Sequence, residues 1–396
     1  MFKTIYRYYS YFLRIFPYLY LFFPALVYSW FCRNKEAYKH IWLICERGDE
    51  ARDNGYHLYK YIREHHPEVN VYFVITDTSP DLPKVEKYQN MVKTNSFQHY
   101  LYFILAEKAL STHIHGAAPN GKACLPFLKL IPEKKHVFLK HGLTKDKFIF
   151  NDNYVDLLVC ASRFELESLK FSNDNIRKSI QLLGFCRYDK LIDKSKSRTR
   201  KVILIIPTFR RWLEDLSRLP NSDQHFREDP YFIKWNALIN DRKLIDKLER
   251  SGMKIIFYPH YRTQKFIHNF KSNSKNVIIA DNHDYDIQDL LINSSMMITD
   301  FSSVFFDFAY MKKPIVYYQF DKKTYRNKHY KEGTFVYEND AFGPVYNQHH
   351  EVVNYVIKIV DQSFLMEEVY INRLKGFFEF EDNKNTERNF RAISKL

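Results

Sequence analysis

Two segments place a histidine directly after an apolar run. Lys140-His141-Gly142 follows 136–139 (HVFL), and Pro259-His260-Tyr261-Arg262 follows 254–258 (KIIFY). Imidazole is the side chain whose ordinary pKa, about 6.5, suits proton transfer near neutrality. A strand-end histidine taken alone also serves as a purely structural residue. A third segment, Pro207-Thr208-Phe209-Arg210-Arg211 after 201–206 (KVILII), offers a hydroxyl and two guanidinium groups. The planar fork of arginine matches phosphate oxygens in pairs. The densest block is Ile298-Thr299-Asp300-Phe301-Ser302-Ser303, continuing through Val304-Phe305-Phe306-Asp307-Phe308-Ala309. It reads as strand, polar loop, then helix. Thr299, Ser302 and Ser303 would set hydroxyls and backbone N–H groups at a helix N-terminus, which suits a phosphate or pyrophosphate. The other reading of the same residues is a plain N-cap at Asp300 or Ser302.

Other combinations carry less. His113-Ile114-His115-Gly116 puts two imidazoles at i and i+2, on one side of an expected strand, but no third metal ligand accompanies them. Asp284-Tyr285-Asp286 has the metal-binding Asp-x-Asp form of sugar transferases, yet it precedes a helix-like run (IQDLLI), where an aspartate caps. The chain has neither Gly-x-x-x-x-Gly-Lys nor Gly-x-Gly-x-x-Gly, which argues against a P-loop NTPase or a dinucleotide enzyme. The net charge of +14 fits an anionic lipid surface, a phosphorylated substrate or a plain solvated surface. No recognition helix, zinc finger or RNA-binding motif points to nucleic acid. The five cysteines are odd in number and form no Cys-x-x-Cys pair, and Cys45 and Cys160 fall inside apolar runs, so reduced core thiols are expected.

The elements that must position these groups form two series. Apolar runs at 41–46, 71–75, 109–114, 136–139 and 156–160 alternate with helix-like stretches such as 53–66 and 97–107. A second series runs through 201–206, 254–258, 276–280, 296–299 and 314–318. This alternation predicts α/β structure with parallel sheets. The charged stretch 187–200 is the expected linker, dividing a first Rossmann-like domain at 40–192 from a second at 193–396, whose last helix is free to pack back on the first domain. Gly and Pro number only 10 and 14, so no long flexible region is expected. Two Rossmann-like domains facing across a cleft follow, with ligands beyond the carboxyl ends of the strands.

Residues 1–39 stand apart. Positions 15–32 (IFPYLYLFFPALVYSWFC) carry no charge, and Lys3, Arg7, Arg14, Arg33, Lys35 and Lys39 flank them. Eighteen uncharged residues lie at the lower edge of a spanning length. Pro17 and Pro24 are expected to break the segment. A monotopic or re-entrant anchor on an anionic cytoplasmic leaflet is expected, with a true span and a buried apolar hairpin as the other readings.

Taken together, the motif segments resemble the CDP-glycerol:poly(glycerophosphate) glycerophosphotransferase family of teichoic acid and capsule assembly. The likeness is strongest from Ile298 to Tyr310 and continues through Lys313-Pro314-Ile315-Val316-Tyr317-Tyr318-Gln319-Phe320-Asp321. Lys140-His141-Gly142, Pro207-Thr208-Phe209-Arg210, Pro259-His260, Gly333 with Gly343-Pro344, and Glu46 with Asn54-Gly55 and Leu58-Tyr59 follow in the family's order. Phe301 stands where Tyr is usual, and Ser295 where an acidic residue often precedes the block. The resemblance implies a GT-B fold and transfer of glycerol phosphate or ribitol phosphate from a CDP-polyol to a lipid-linked or polymeric acceptor, releasing CMP. It implies His141 as general base and His260 at the phosphate in flight or the leaving CMP. Thr299, Ser302 and Ser303 would hold the pyrophosphate, Arg210 would assist, and Asp300 would orient the loop. No cofactor and no site metal is implied, since phosphoryl transfer rests on positioning and charge stabilisation. The modest length favours a single-addition or capsule enzyme. The rival readings are a nucleotide-sugar transferase on the same fold and a non-catalytic membrane-bound protein.

Overall fold

The computed structural model describes residues 19–150, 155–216 and 219–396. The chain divides into two compact units. The first comprises Met1–His141, Ile149–Asp189 and Glu379–Leu396, and the second Gly142–Phe148 and Lys190–Phe378.

The first unit is built on a seven-stranded sheet, β1 (Trp42–Cys45), β2 (Val71–Ile75), β3 (Met91–Lys93), β4 (Lys108–Ser111), β5 (Lys135–Phe138), β6 (Leu157–Cys160) and β7 (Ile180–Leu182). All its pairings are parallel, in the order β3-β2-β1-β4-β5-β6-β7. The interior strands β1, β4 and β6 are buried at every residue, and β1 and β6 accordingly read as unbroken apolar runs. The helix Asn54–His65 is capped by Asp53, and Phe97–Leu105 by Ser96, whose hydroxyl accepts the His99 amide. The segment from Glu379 closes this unit. Asn385 and Thr386 donate their amides to the Asp189 carboxylate, and Phe390 packs on Trp42.

The second unit holds a six-stranded sheet, β8 (Val202–Ile206), β9 (Lys254–Phe257), β10 (Val277–Ile279), β11 (Met296–Thr299), β12 (Ile315–Tyr318) and β13 (Val345–Tyr346). It too is wholly parallel, in the order β10-β9-β8-β11-β12-β13. Trp235, Phe226, Leu244 and Val356 pack from flanking helices onto Ile203, Ile205 and Ile255 as its core. The short segment Gly142–Phe148 is part of this unit: Asp146 pairs with Arg326 at 2.6 Å, and any Cβ on Gly333 would lie 2.3 Å from the Lys145 carbonyl oxygen.

Residues 15–18 of the apolar N-terminal segment, with Lys3, Arg7 and Arg14, lie outside the described residues. Residues 19–32 form one helix that runs through Pro24, so this proline does not interrupt it. One face, with Phe22, Ala25, Ser29 and Cys32, is buried in the first unit; the opposite face exposes Tyr20, Phe23, Val27, Trp30 and Phe31. Among the described residues no helix is long and apolar enough to cross a membrane. All five cysteines are buried and unpaired.

Candidate active site

In both sheets the strand order reverses once, between β1 and β4 and between β8 and β11. Loops leaving the carboxyl ends of strands at such a point splay apart and leave room for a ligand. The sequence motifs lie on or beside these loops: Thr112 and His113 after β4, His141 after β5, Pro207–Arg211 after β8, His260 after β9 and Asp300–Ser303 after β11.

His141 is held by a rigid turn. Lys140 adopts φ +59°, a left-handed conformation uncommon for lysine. Its ammonium is buried in an ion pair with Glu165, and the Asn54 amide donates to the Lys140 carbonyl at 2.8 Å. The His141 Nδ1 lies 3.3 Å from the Thr112 carbonyl oxygen. A carbonyl only accepts, so Nδ1 carries the proton and Nε2 keeps its lone pair. Crowding of the ring by protein, and then Lys140, Arg187 and Arg47, push the His141 pKa down to about 4 despite that hydrogen bond, while part of the side chain stays open to solvent. The ring is therefore neutral at pH 7. His113 stacks on it, centroid to centroid 4.5 Å and 5° from parallel. β4 ends at Ser111 and His115 adopts φ +59°, so His113 and His115 are not the same-side strand pair expected from their spacing.

His260 has the opposite arrangement. Its Nδ1 accepts the Arg262 amide at 3.3 Å, so the neutral ring carries its proton on Nε2. The ring stacks on Phe209 at 4.7 Å, and the Arg262 guanidinium covers that phenylalanine.

The Thr299–Ser303 block splits into support and surface. The Thr299 hydroxyl donates to the Ile206 carbonyl at 2.7 Å and is fully buried, so it ties β11 to β8 rather than facing a ligand. Asp300 accepts the Thr208 and Phe301 amides and pairs with Arg210 at 2.8 Å. Arg210 is 0% exposed and also grips Asp321 through two N–H groups, with its remaining donors on the Thr208 and Phe209 carbonyls. It has no donor left for a phosphate; its task is to bind the loops after β8, β11 and β12 together. Ser302 and Ser303 remain at the turn, and among the described residues their amides meet no acceptor. A Cβ on Gly142 would sit 3.0 Å from the Ser303 Oγ, so a side chain there would press on that hydroxyl. Asp286 caps the helix Ile287–Asn293 through the Gln288 and Asp289 amides, the capping reading of its motif.

His329 escaped the sequence reading. It packs against Phe209 and Tyr325 and accepts the Arg211 amide on Nδ1 at 3.0 Å. It lies in a Lys-rich stretch with no motif around it, and only its fold neighbours reveal it.

The chain is similar to known proteins in sequence and in fold. The family model described as CDP-Glycerol:Poly(glycerophosphate) glycerophosphotransferase matches residues 26–395. The minor teichoic acid biosynthesis protein GgaB of Bacillus subtilis (strain 168) is 35% identical over 370 residues, covering 90% of this chain and 40% of that protein. The teichoic acid poly(glycerol phosphate) polymerase of the same organism is 23% identical, covering 92% of this chain and 52% of its own length. The chain thus spans about half or less of these two relatives. A solved structure of the wall teichoic acid polymerase TagF superposes with TM-score 0.67 at 18% identity, covering 94% of this chain and 92% of that one. The S. aureus MnaA–UDP co-structure follows at TM-score 0.55 and 14% identity, covering 90% and 96%. With a family match across nearly all of its length, the chain belongs to the CDP-glycerol:poly(glycerophosphate) glycerophosphotransferase family.

Proposed function

We propose that this chain transfers glycerol phosphate or ribitol phosphate from a CDP-activated donor to a hydroxyl of a lipid-linked or polymeric cell-envelope acceptor, releasing CMP. In this reading the two sheets make the GT-B pair, the first unit handling the acceptor and the second the CDP-polyol. Nε2 of His141 takes the proton of the acceptor hydroxyl. The freed oxygen attacks the β-phosphorus of the donor, and the bond from that phosphorus to the bridging oxygen breaks. Ser302 and Ser303 hold the pyrophosphate with hydroxyls and amides, and Nε2–H of His260 meets the charge that builds on the leaving CMP. Thr299, Asp300 and Arg210 keep the turn in shape.

The observation that carries this reading is the contrast in what the two Nδ1 atoms meet, a carbonyl oxygen at His141 and an amide N–H at His260, which leaves a lone pair on Nε2 of the first ring and a proton on Nε2 of the second. A solved structure of the TagF polymerase with CDPG is a fold relative of this chain, at TM-score 0.64 and 17% identity. The protein is expected to work at the cytoplasmic face of the membrane, held peripherally by the exposed aromatic face of helix 19–32 and its neighbouring cations. Incubation with CDP-glycerol, CDP-ribitol and UDP-sugars, each with a lipid-linked acceptor, tests the chemistry. CMP release from a CDP-polyol alone, with a mass gain of one polyol phosphate on the product, is the expected result. Turnover of a UDP-sugar overturns it. His141→Ala should lower turnover by about 10²–10⁴-fold while leaving donor affinity unchanged.

A further inference from the structure

We propose that His329 is a donor-binding residue whose Nε2–H meets a phosphate oxygen of the CDP-polyol; this rests on the function proposed above. The argument starts from an unmet donor. The Arg211 amide occupies Nδ1 of His329, so the neutral ring carries its proton on Nε2. The residue is 6% exposed, and Nε2 is buried with no hydrogen-bond partner. Native proteins leave few buried polar atoms unmet, and those that exist call for an explanation. Aromatic rings surround this imidazole: Tyr325 stacks at 4.7 Å and 14°, Phe209 meets it at 4.5 Å and 70°, and Tyr330 at 4.4 Å and 80°.

Its position names the ligand. Phe209 stacks on His260 on one side, and Tyr325 stacks at 3.9 Å on Phe301, the neighbour of Ser302, on the other. His260, Phe209, His329, Tyr325 and Phe301 therefore form one continuous row. His329 stands midway between the imidazole and the serine turn assigned to the donor's phosphates. The Thr208 hydroxyl, beside Phe209, is likewise buried without a partner. Burial and then Arg210 and Arg211 drive the His329 pKa down to about 3, with Lys145 in the same sense and Asp146 opposing. Cations that disfavour a charge on the ring favour an anion next to it.

The test is calorimetric titration of the full chain with CDP-glycerol, CMP and cytidine. His329→Phe keeps the aromatic row and removes the donor; it should weaken CDP-glycerol and CMP by about 10–100-fold and leave cytidine unchanged. His329→Gln, which retains an N–H at similar reach, should restore most of the affinity. An equal loss for cytidine overturns the phosphate contact in favour of the nucleoside, and unaltered CDP-glycerol affinity in His329→Phe overturns the assignment altogether. Should that variant fail to fold, the wild-type protein decides. Its ¹⁵N-histidine spectrum must show the Nε2 resonance that is missing in His329→Gln move on CDP-glycerol addition, and a stationary resonance overturns the proposal. A wild-type chain that binds CDP-glycerol while His329→Phe loses nothing leaves the reaction reading intact. A wild-type chain that binds no CDP-polyol overturns both.

Discussion

Arg210 concentrates the energetics of the site in one side chain. Its guanidinium offers five N–H groups, and they reach Asp300, Asp321 and two carbonyls. Burial opposes the charge, but Asp300 and Asp321 outweigh it and hold the guanidinium more firmly protonated than usual. Removing the cation would leave the buried Asp300 and the largely covered Asp321 without their counter-charge. Arg210→Leu should therefore cost about 3–5 kcal/mol of stability, measured by urea unfolding; a loss well under 1 kcal/mol would show that the network does not hold these loops. The residue types needed for chemistry were legible in the sequence, because a polar residue ending an apolar run must emerge at a strand's carboxyl end. The direction of each side chain was not. Thr299 and Arg210 look like phosphate ligands on paper, but Thr299 is drawn to the Ile206 carbonyl and Arg210 to two aspartates 90 or more positions away.

At the level of elements, the interior strands announced themselves, whereas of the four edge strands only β10 did. β3, β7 and β13 have three, three and two residues and went unread. Each lies at the rim of its sheet, where half the pairing surface is missing and no long apolar run is needed. The first helix shows the opposite difficulty. Residues 19–32 are apolar all round, so their composition could not tell the face that packs on the first unit from the face that stays outside. The exposed face should bind anionic vesicles, with Trp30 emission shifting to the blue on addition of phosphatidylglycerol vesicles. Trp30→Ser combined with Phe31→Ser, read by co-sedimentation, should lose about a hundredfold or more in partitioning, since each buried aromatic contributes about 1.5–3 kcal/mol. Equal sedimentation of variant and wild type would remove this helix from membrane attachment.

Across the whole molecule, four imidazoles among the described residues bear on the response to acid, His99 and His329 buried and His136 and His141 more open to solvent. Crowding by protein lowers the pKa of His99, His136 and His141 to about 4 and of His329 to about 3, against an ordinary value of 6.5. The unfolded chain takes up these protons near pH 6.5 and the folded chain resists them until about pH 4. The unfolded state thus binds more protons in that window, and stability falls as pH falls through it. The slope is on the order of 1.4 kcal/mol per pH unit for each proton. Unfolding midpoints in urea should drop steadily from pH 7 to pH 5; a flat profile would mean that these rings are not held neutral.

The route of the chain has a bearing on its synthesis. The helix Asn385–Ser394 belongs to the unit that also contains β1, with Asn389 donating to the Gly184 carbonyl and Thr386 to that of Cys186. On the ribosome, therefore, the half made first must wait, missing its last piece, until the entire other half has emerged. The nascent N-terminal half stays incomplete throughout that interval, and it is the stretch where a chaperone would be needed.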